Sequence, residues 1–311
     1  MRTLKALLAL IVIATMLLTS CGGGTETPTD EVPGEPKIIT IAWTQEPGTM
    51  NRSYSSMWYQ STLSQLYSCS PWQYDEKNEP YPYMLTEMPT ITEDGLEVTM
   101  HLRDDLVWSD GVPVSQADYE LKFKIDCDRE SGATTFITCD LIQKNEYFDN
   151  GYTSTFLPGS QSPIYFTTFD AAKLPDIYPA HRVIESEGPF QGQTLADVPA
   201  KDWTTLPEVA ENPIGVGPYV ITEWVKGEKL VFDANPYYYG GAPKTPHVVI
   251  SIITSENAEA QLIGGQVDIL DLTTLVSVSE ALDRAATEGI VKNFVIPSAS
   301  WEHIDMNLFL P

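Results

Sequence analysis

The chain has 311 residues, 42% hydrophobic and 20% charged, with 43 acidic side chains against 18 basic ones and a formal net charge of −25. That length exceeds one typical domain and allows two lobes with sizeable cores, while 23 Pro and 15 Tyr suit a loop-rich mixed α/β protein better than a helical bundle. The acidic balance makes nucleic acid and anionic lipid poor partners; it admits a cationic ligand, but solubility outside the cell explains it more simply.

The N-terminus carries Arg2 and Lys5, the apolar run Ala6–Leu18, and then Leu18-Thr19-Ser20-Cys21. A basic start, a short apolar core and small residues before the cut make a secretory signal, and the run is too short to span a bilayer comfortably. Ending on Cys resembles the bacterial lipoprotein signal, which implies that Cys21 is lipidated and becomes the first mature residue. Residues 22–36, rich in Gly, Pro, Thr and Glu, then form a flexible tether. Cys69, Cys127 and Cys139 remain, allowing one disulfide in three pairings. Cys127–Cys139, the pair nearest in sequence, is chosen as a staple without chemistry.

Lys37–Thr44 is a strand by its β-branched content, ended by Gln45-Glu46-Pro47-Gly48. Ser53–Tyr67 suits a helix with Leu63, Leu66 and Tyr67 on one face. Glu97–Leu102 alternates as a half-buried strand and leads into Trp108-Ser109-Asp110-Gly111-Val112-Pro113-Val114-Ser115. There Asp110-Gly111 turns the chain, Trp108 packs the turn down, and Ser115 with Asp118 forms a capping box. Tyr119, Leu121, Phe123 and Ile125 alternate as in a strand, whereas the cap, and with it the family resemblance given below, favours a helix. Residues 129–162 show little pattern and read as irregular. Tyr219–Val225 and Lys229–Asp233 form a hairpin around Lys226-Gly227-Glu228, preceded by Gly215-Val216-Gly217-Pro218, where glycine supplies freedom of φ. Val248–Ile253 is an apolar strand. Ser255 caps a helix stopped by Gly264-Gly265, and Gln266–Leu270 is the next strand. Ser277 and Glu280 cap a helix ended by Gly289, and Val291–Ile296 and Trp301–Leu308 are strands.

Several of these segments resemble the family 5 extracytoplasmic solute-binding proteins, the oligopeptide- and dipeptide-binding components of ABC importers. They are Leu102-Arg103 with Trp108–Val114, the Gly-x-Gly-Pro-Tyr of residues 215–219, Asn235-Pro236-Tyr237-Tyr238, and Ala260–Asp268. Leu66–Trp72 matches the family only in part, and Ile177–His181 resembles its Pro-x-His segment, with His181 read as structural. The resemblance implies an α/β fold, periplasmic-binding-protein-like (type II, cluster C). In it, residues 37–51 and 176–300 form the main subdomain of the first lobe, 52–175 an inserted smaller subdomain, and 301–311 a strand crossing to a second lobe that is largely missing. Such a fragment, with one wall of the cleft, is expected to bind weakly.

Function follows from the resemblance alone. It implies a monomeric lipoprotein, anchored to the membrane outside the cytoplasm, that captures a peptide or other small solute by hinge closure and delivers it to an ABC permease and its ATPase. By position, the cleft-lining residues are Trp43, Glu46, Asp271, Thr273, Trp301 and His303. Glu46 or Asp271 would hold an ammonium and the Trp rings would cover apolar groups; the alternative makes both Trp core residues and Glu46 a solvated loop acid. Trp108–Gly111 is expected to be a packed structural turn away from the solute. No spacing suggests metal ligands, a cofactor or a nucleophile, and the four His are far apart. An extracytoplasmic hydrolase or another surface lipoprotein is the alternative.

Overall fold

The computed structural model describes residues 37–51, 54, 55, 57–75, 77, 79–130, 137–160, 177–182, 190–193, 202, 211, 213–271 and 279–294. Strand β1 (Ile38–Trp43) lies inside a five-stranded sheet, between β10 (His247–Ile252) and β11 (Ile269–Leu270), parallel to both. The hairpin of β8 (Tyr219–Val225) and β9 (Lys229–Ala234) continues it, β9 running antiparallel to β10. Gly227, at φ 75°, occupies the left-handed position that the tight hairpin turn requires. One face of this sheet packs Trp43, Ile221, Leu230, Phe232, Val248 and Ile250 against Tyr59, Leu63 and Tyr67 of helix α1 (Trp58–Tyr67). Tyr59, Leu63 and Tyr67 recur every four residues and so share one helix face. Helix α1, assigned from sequence to the inserted part, therefore joins the core of the five-stranded sheet.

Between β1 and β8 the chain builds a second, four-stranded antiparallel sheet in the order β4-β5-β7-β6. Its strands are β4 (Thr90–Ile91), β5 (Glu97–His101), β6 (Ile142–Phe148) and β7 (Gly151–Phe156). Ahead of it, β2 (Trp72–Tyr74) and β3 (Pro80–Pro82) pair alone. Helix α2 (Gln116–Cys127) covers the four-stranded sheet, with Tyr119 and Phe123 against Tyr147 and Tyr152. Leu121 and Ile125, also fully buried, lie on a different helix face. A helix that buries two faces produces the apolar alternation that imitates a strand. Short helix α3 (Ile137–Leu141) follows, and Cys139 in it is bonded to Cys127, with Cα atoms 5.3 Å apart; Cys69 is buried outside this disulfide, its Sγ donating to Val216 O.

Helix α4 (Ser255–Ile263) leads from β10 to β11, and α5 (Glu280–Thr287) follows. Several local expectations are corrected. Residues 142–156, read as irregular, are a hairpin turning at Asp149-Asn150. Thr254 rather than Ser255 is the N-cap of α4, and Ser279 rather than Ser277 caps α5, its Oγ accepting from Leu282 N–H. Residues 291–294 are not a strand.

Gly215 and Gly217 are needed for room, not for φ, since neither adopts a positive value. A Cβ on Gly215 would sit 1.6 Å from Tyr67 O, and one on Gly217 2.6 Å from Tyr67 C. The Gly-Val-Gly ribbon lies flat on the last turn of α1, where Gly217 N–H donates to Tyr67 O. On its other side Ser109 N–H donates to Gly215 O, and Gly215 N–H to Ser109 Oγ. The two most recognisable sequence segments are thus docked on each other.

Candidate functional site

The geometry of the parallel strands selects an edge. In open α/β sheets, ligands bind beyond the carboxyl ends of parallel strands. Trp43 is in register with Ile252 of β10, and Ala42 with Leu270 of β11, so three strands end together. Their continuations are the loop 44–51, residues 253–254 ahead of α4, and Asp271. Register at the start of β11 is fixed by Asp268, whose Oδ2 accepts from Thr40 N–H while its own N–H donates to Thr40 O, both at 2.8 Å. The β8–β9 turn reaches the same edge, because Lys229 is in register with Ser251 and Glu228 O accepts from Ile252 N–H.

Trp43, Glu46 and Asp271 all lie at this edge, and the first two have partners within the protein. Trp43 is 3% exposed and packs at a tilt against Tyr59 with ring centroids 4.9 Å apart, as the alternative of a core ring expects. Glu46 is engaged inside the protein instead of waiting for an ammonium. Its Oε1 accepts from Trp224 Nε1 at 2.6 Å and its Oε2 from Gly227 N–H at 2.9 Å. Asp271 stands directly after β11 at the edge. Thr273, Trp301, His303 and Cys21 lie outside the described residues. Sequence reasoning missed Trp224, Lys226 and Lys229. Lys226 Nζ sits over the Trp224 ring, and Lys229 Nζ is 2.7 Å from Glu223, which holds its ammonium above the usual lysine range. The hairpin was legible; its position was not, because that depends on pairing between β1 and a strand far along the chain.

A second polar cluster lies under the Trp108–Gly111 turn. Trp108 is 1% exposed and donates through Nε1 to Asp118 Oδ2 at 3.2 Å. Asp118 also accepts from Ser115 N–H (2.7 Å) and Ala180 N–H (2.8 Å), which draws the segment around Pro179 onto α2. Burial pushes its carboxyl above the ordinary range, against the pull of these donors and of nearby His181. His181 Nε2 lies 2.9 Å from Asp110 Oδ2, so His181 serves the turn. Nearby, Asn235 Nδ2 donates to Gly217 O, and Tyr238 and Tyr239 contact Tyr83 through their hydroxyls. Every one of these contacts is internal. Among the described residues no group of His, Cys, Asp and Glu is placed to hold a metal ion, and no helix is long and apolar enough to cross a membrane.

A mixed α/β lobe with an inserted antiparallel sheet and a loop-bearing carboxyl edge matches the periplasmic binding proteins. The profile of the bacterial extracellular solute-binding proteins, family 5 (middle), matches residues 79–308, and the chain belongs to that family. Among its relatives, the oligopeptide-binding protein OppA of Lactococcus lactis subsp. lactis is 25% identical over 189 residues, covering 58% of this chain and 31% of that one. Among solved structures, the oligopeptide-binding protein AppA of Bacillus subtilis, in complex with a nonapeptide, superposes with a TM-score of 0.64 at 19% identity, over 75% of this chain and 44% of AppA. NikZ of Campylobacter jejuni, in complex with Ni(L-His), gives 0.59 at 25% identity, over 74% and 42%. The chain therefore spans a third to a half of the length of such relatives.

Proposed function

We propose that this chain is the first-lobe part of the solute-binding component of an ABC importer, one that captures an oligopeptide or similar solute outside the membrane and passes it to the permease. Membership of family 5 across residues 79–308 is the observation that carries this reading. The joint ending of β1, β10 and β11 supports the carboxyl edge as the solute-facing wall, with Asp271 as its acid. On this reading the two sheets correspond to a main and an inserted subdomain of one lobe. Capture works by hinge closure, which screens the solute from water and presents a closed form to the permease. Cys21, after its apolar leader, carries the lipid that keeps the protein at the membrane surface.

The test is purification of the protein in its longest natural form under native conditions, followed by acid release and mass spectrometry of what it carried. Recovered peptides support the reading; a homogeneous non-peptide solute moves it to another transported class; an empty protein that also ignores added peptides overturns it. Detergent phase separation of wild type and Cys21→Ala checks the anchor. Wild type should enter the detergent phase and the variant should not, and equal aqueous partitioning would refute lipidation.

A further inference from the structure

We infer that Glu46 is a positioning residue: its carboxylate clamps the loop after β1 to the tip of the β8–β9 hairpin and so sets the shape of the solute-facing edge. The inference rests on the proposed solute-binding role of that edge, but the clamp itself is read from the geometry. The loop 44–51 is fixed at both ends. At one end Trp43 is buried, and Ile253 N–H donates to its carbonyl. At the other, Met50 is 1% exposed with its carbonyl accepting from Gln60 Nε2 and Tyr67 Oη, and Asn51 accepts from Tyr178 Oη. Between these anchors runs Gln45-Glu46-Pro47-Gly48, whose Gly48 has no neighbour within 4 Å of where a Cβ would stand.

Glu46 fastens this middle stretch to a different element. Its two oxygens are divided between two donors that are only three residues apart, the Trp224 indole and the Gly227 amide. The Gly227 amide becomes available because residue 227 takes a left-handed conformation at the turn. Hydrogen bonds to an ionised acceptor are short and strong, and an arrangement with one donor per oxygen fixes orientation as well as distance. The ring that donates also carries Lys226 Nζ on its face, so the clamp fixes where that cation stands at the edge. Holding a binding wall in its bound shape before the solute arrives raises affinity by lowering the ordering cost of binding.

The experiment uses the protein in its longest natural form, with Glu46→Gln, Glu46→Ala and Trp224→Phe, and a tryptic digest of casein as the probe. Hydrogen exchange at the Gly227 amide reads the clamp directly. We expect exchange there to accelerate roughly tenfold in Glu46→Ala, with the global unfolding midpoint nearly unchanged. Calorimetric affinity for the digest should fall roughly tenfold in Glu46→Ala. It should fall less in Glu46→Gln, whose amide oxygen still accepts one bond, and by a similar smaller amount in Trp224→Phe. Unchanged Gly227 exchange in Glu46→Ala overturns the clamp. Faster exchange with unchanged affinity overturns its role in positioning. A loss of affinity equal in Glu46→Gln and Glu46→Ala, with Trp224→Phe unaffected, would return Glu46 to direct contact with the solute. If wild type ignores the digest, the peptide reading of the solute fails while Gly227 exchange still decides the clamp.

Discussion

Two regions of this molecule use the same device at different depths. Under the Trp108 turn, an indole N–H and two backbone amides meet the carboxylate of Asp118, which is 1% exposed. At the carboxyl edge, an indole N–H and one backbone amide meet the carboxylate of Glu46, which is only partly buried. The first is sealed inside the fold and ties three segments into one body. The second borders solvent, where a bond can open without unfolding what surrounds it. The comparison teaches that the most distinctive residues of the sequence build the scaffold. The residues at the candidate site are ordinary ones placed by the topology.

The strongest way to break this contrast is to disturb the interior region. Gly215→Ala would place a methyl 1.6 Å from the Tyr67 carbonyl oxygen, so the ribbon must leave α1 and the Trp108 turn. We expect a loss of roughly 4 kcal/mol or more in chemical denaturation, or no folded protein at all. Trp108→Ala should cost roughly 3–5 kcal/mol, since a fully buried ring is lost and Asp118 loses a donor. A stability close to wild type would show that the turn is not the sealed region described. Replacing Cys127 and Cys139 together by Ser opens a loop with sequence separation 12 and should cost about 3 kcal/mol by loop-closure entropy. Denaturation of the oxidised and reduced wild type should show the same gap.

Alkaline titration sharpens the contrast. Burial pushes Tyr119 and Tyr147, which pack between α2 and the four-stranded sheet, from 10.0 to about 12. Their folded values lie above their unfolded ones, so the stability they contribute is complete below pH 10 and is lost as pH rises toward 12. After allowance for solvent screening, we expect a loss on the order of 1–2 kcal/mol. It should be followed by phenolate absorbance alongside circular dichroism, and tyrosines that ionise near pH 10 with the fold intact would count against it. The smallest effect belongs to the edge. Gly227→Ala meets no neighbour but must hold φ near 75°, at a cost of about 1 kcal/mol.

Local signals in the sequence were strong where one short segment determines its own shape. Asp110-Gly111, the Ser115–Asp118 cap and the hairpin around Gly227 all have the expected form. Residues 142–156 were missed because their strands carry Lys144, Glu146, Thr153 and Thr155 in place of an apolar run, although Asn150-Gly151 was a usable turn signal. The site was harder to read. Trp43 and Glu46 stand at and just beyond the end of β1, yet nothing nearby in sequence announces Tyr59, Trp224 or Gly227 as their partners. Side chains that look free in a loop are often taken by elements far along the chain, and only the fold supplies those partners.

The placement of β1 has a consequence for how the molecule forms. Ile38–Trp43 emerges early in synthesis, but its neighbours on both sides are His247–Ile252 and Ile269–Leu270. The central strand of the first sheet must therefore wait for roughly two hundred further residues before it can pair, and such distant pairing is entropically slow. The second sheet, closed by the hairpin of residues 142–156, can assemble in the meantime. The first sheet therefore closes after the second, its central strand left open on both sides until two late neighbours are made.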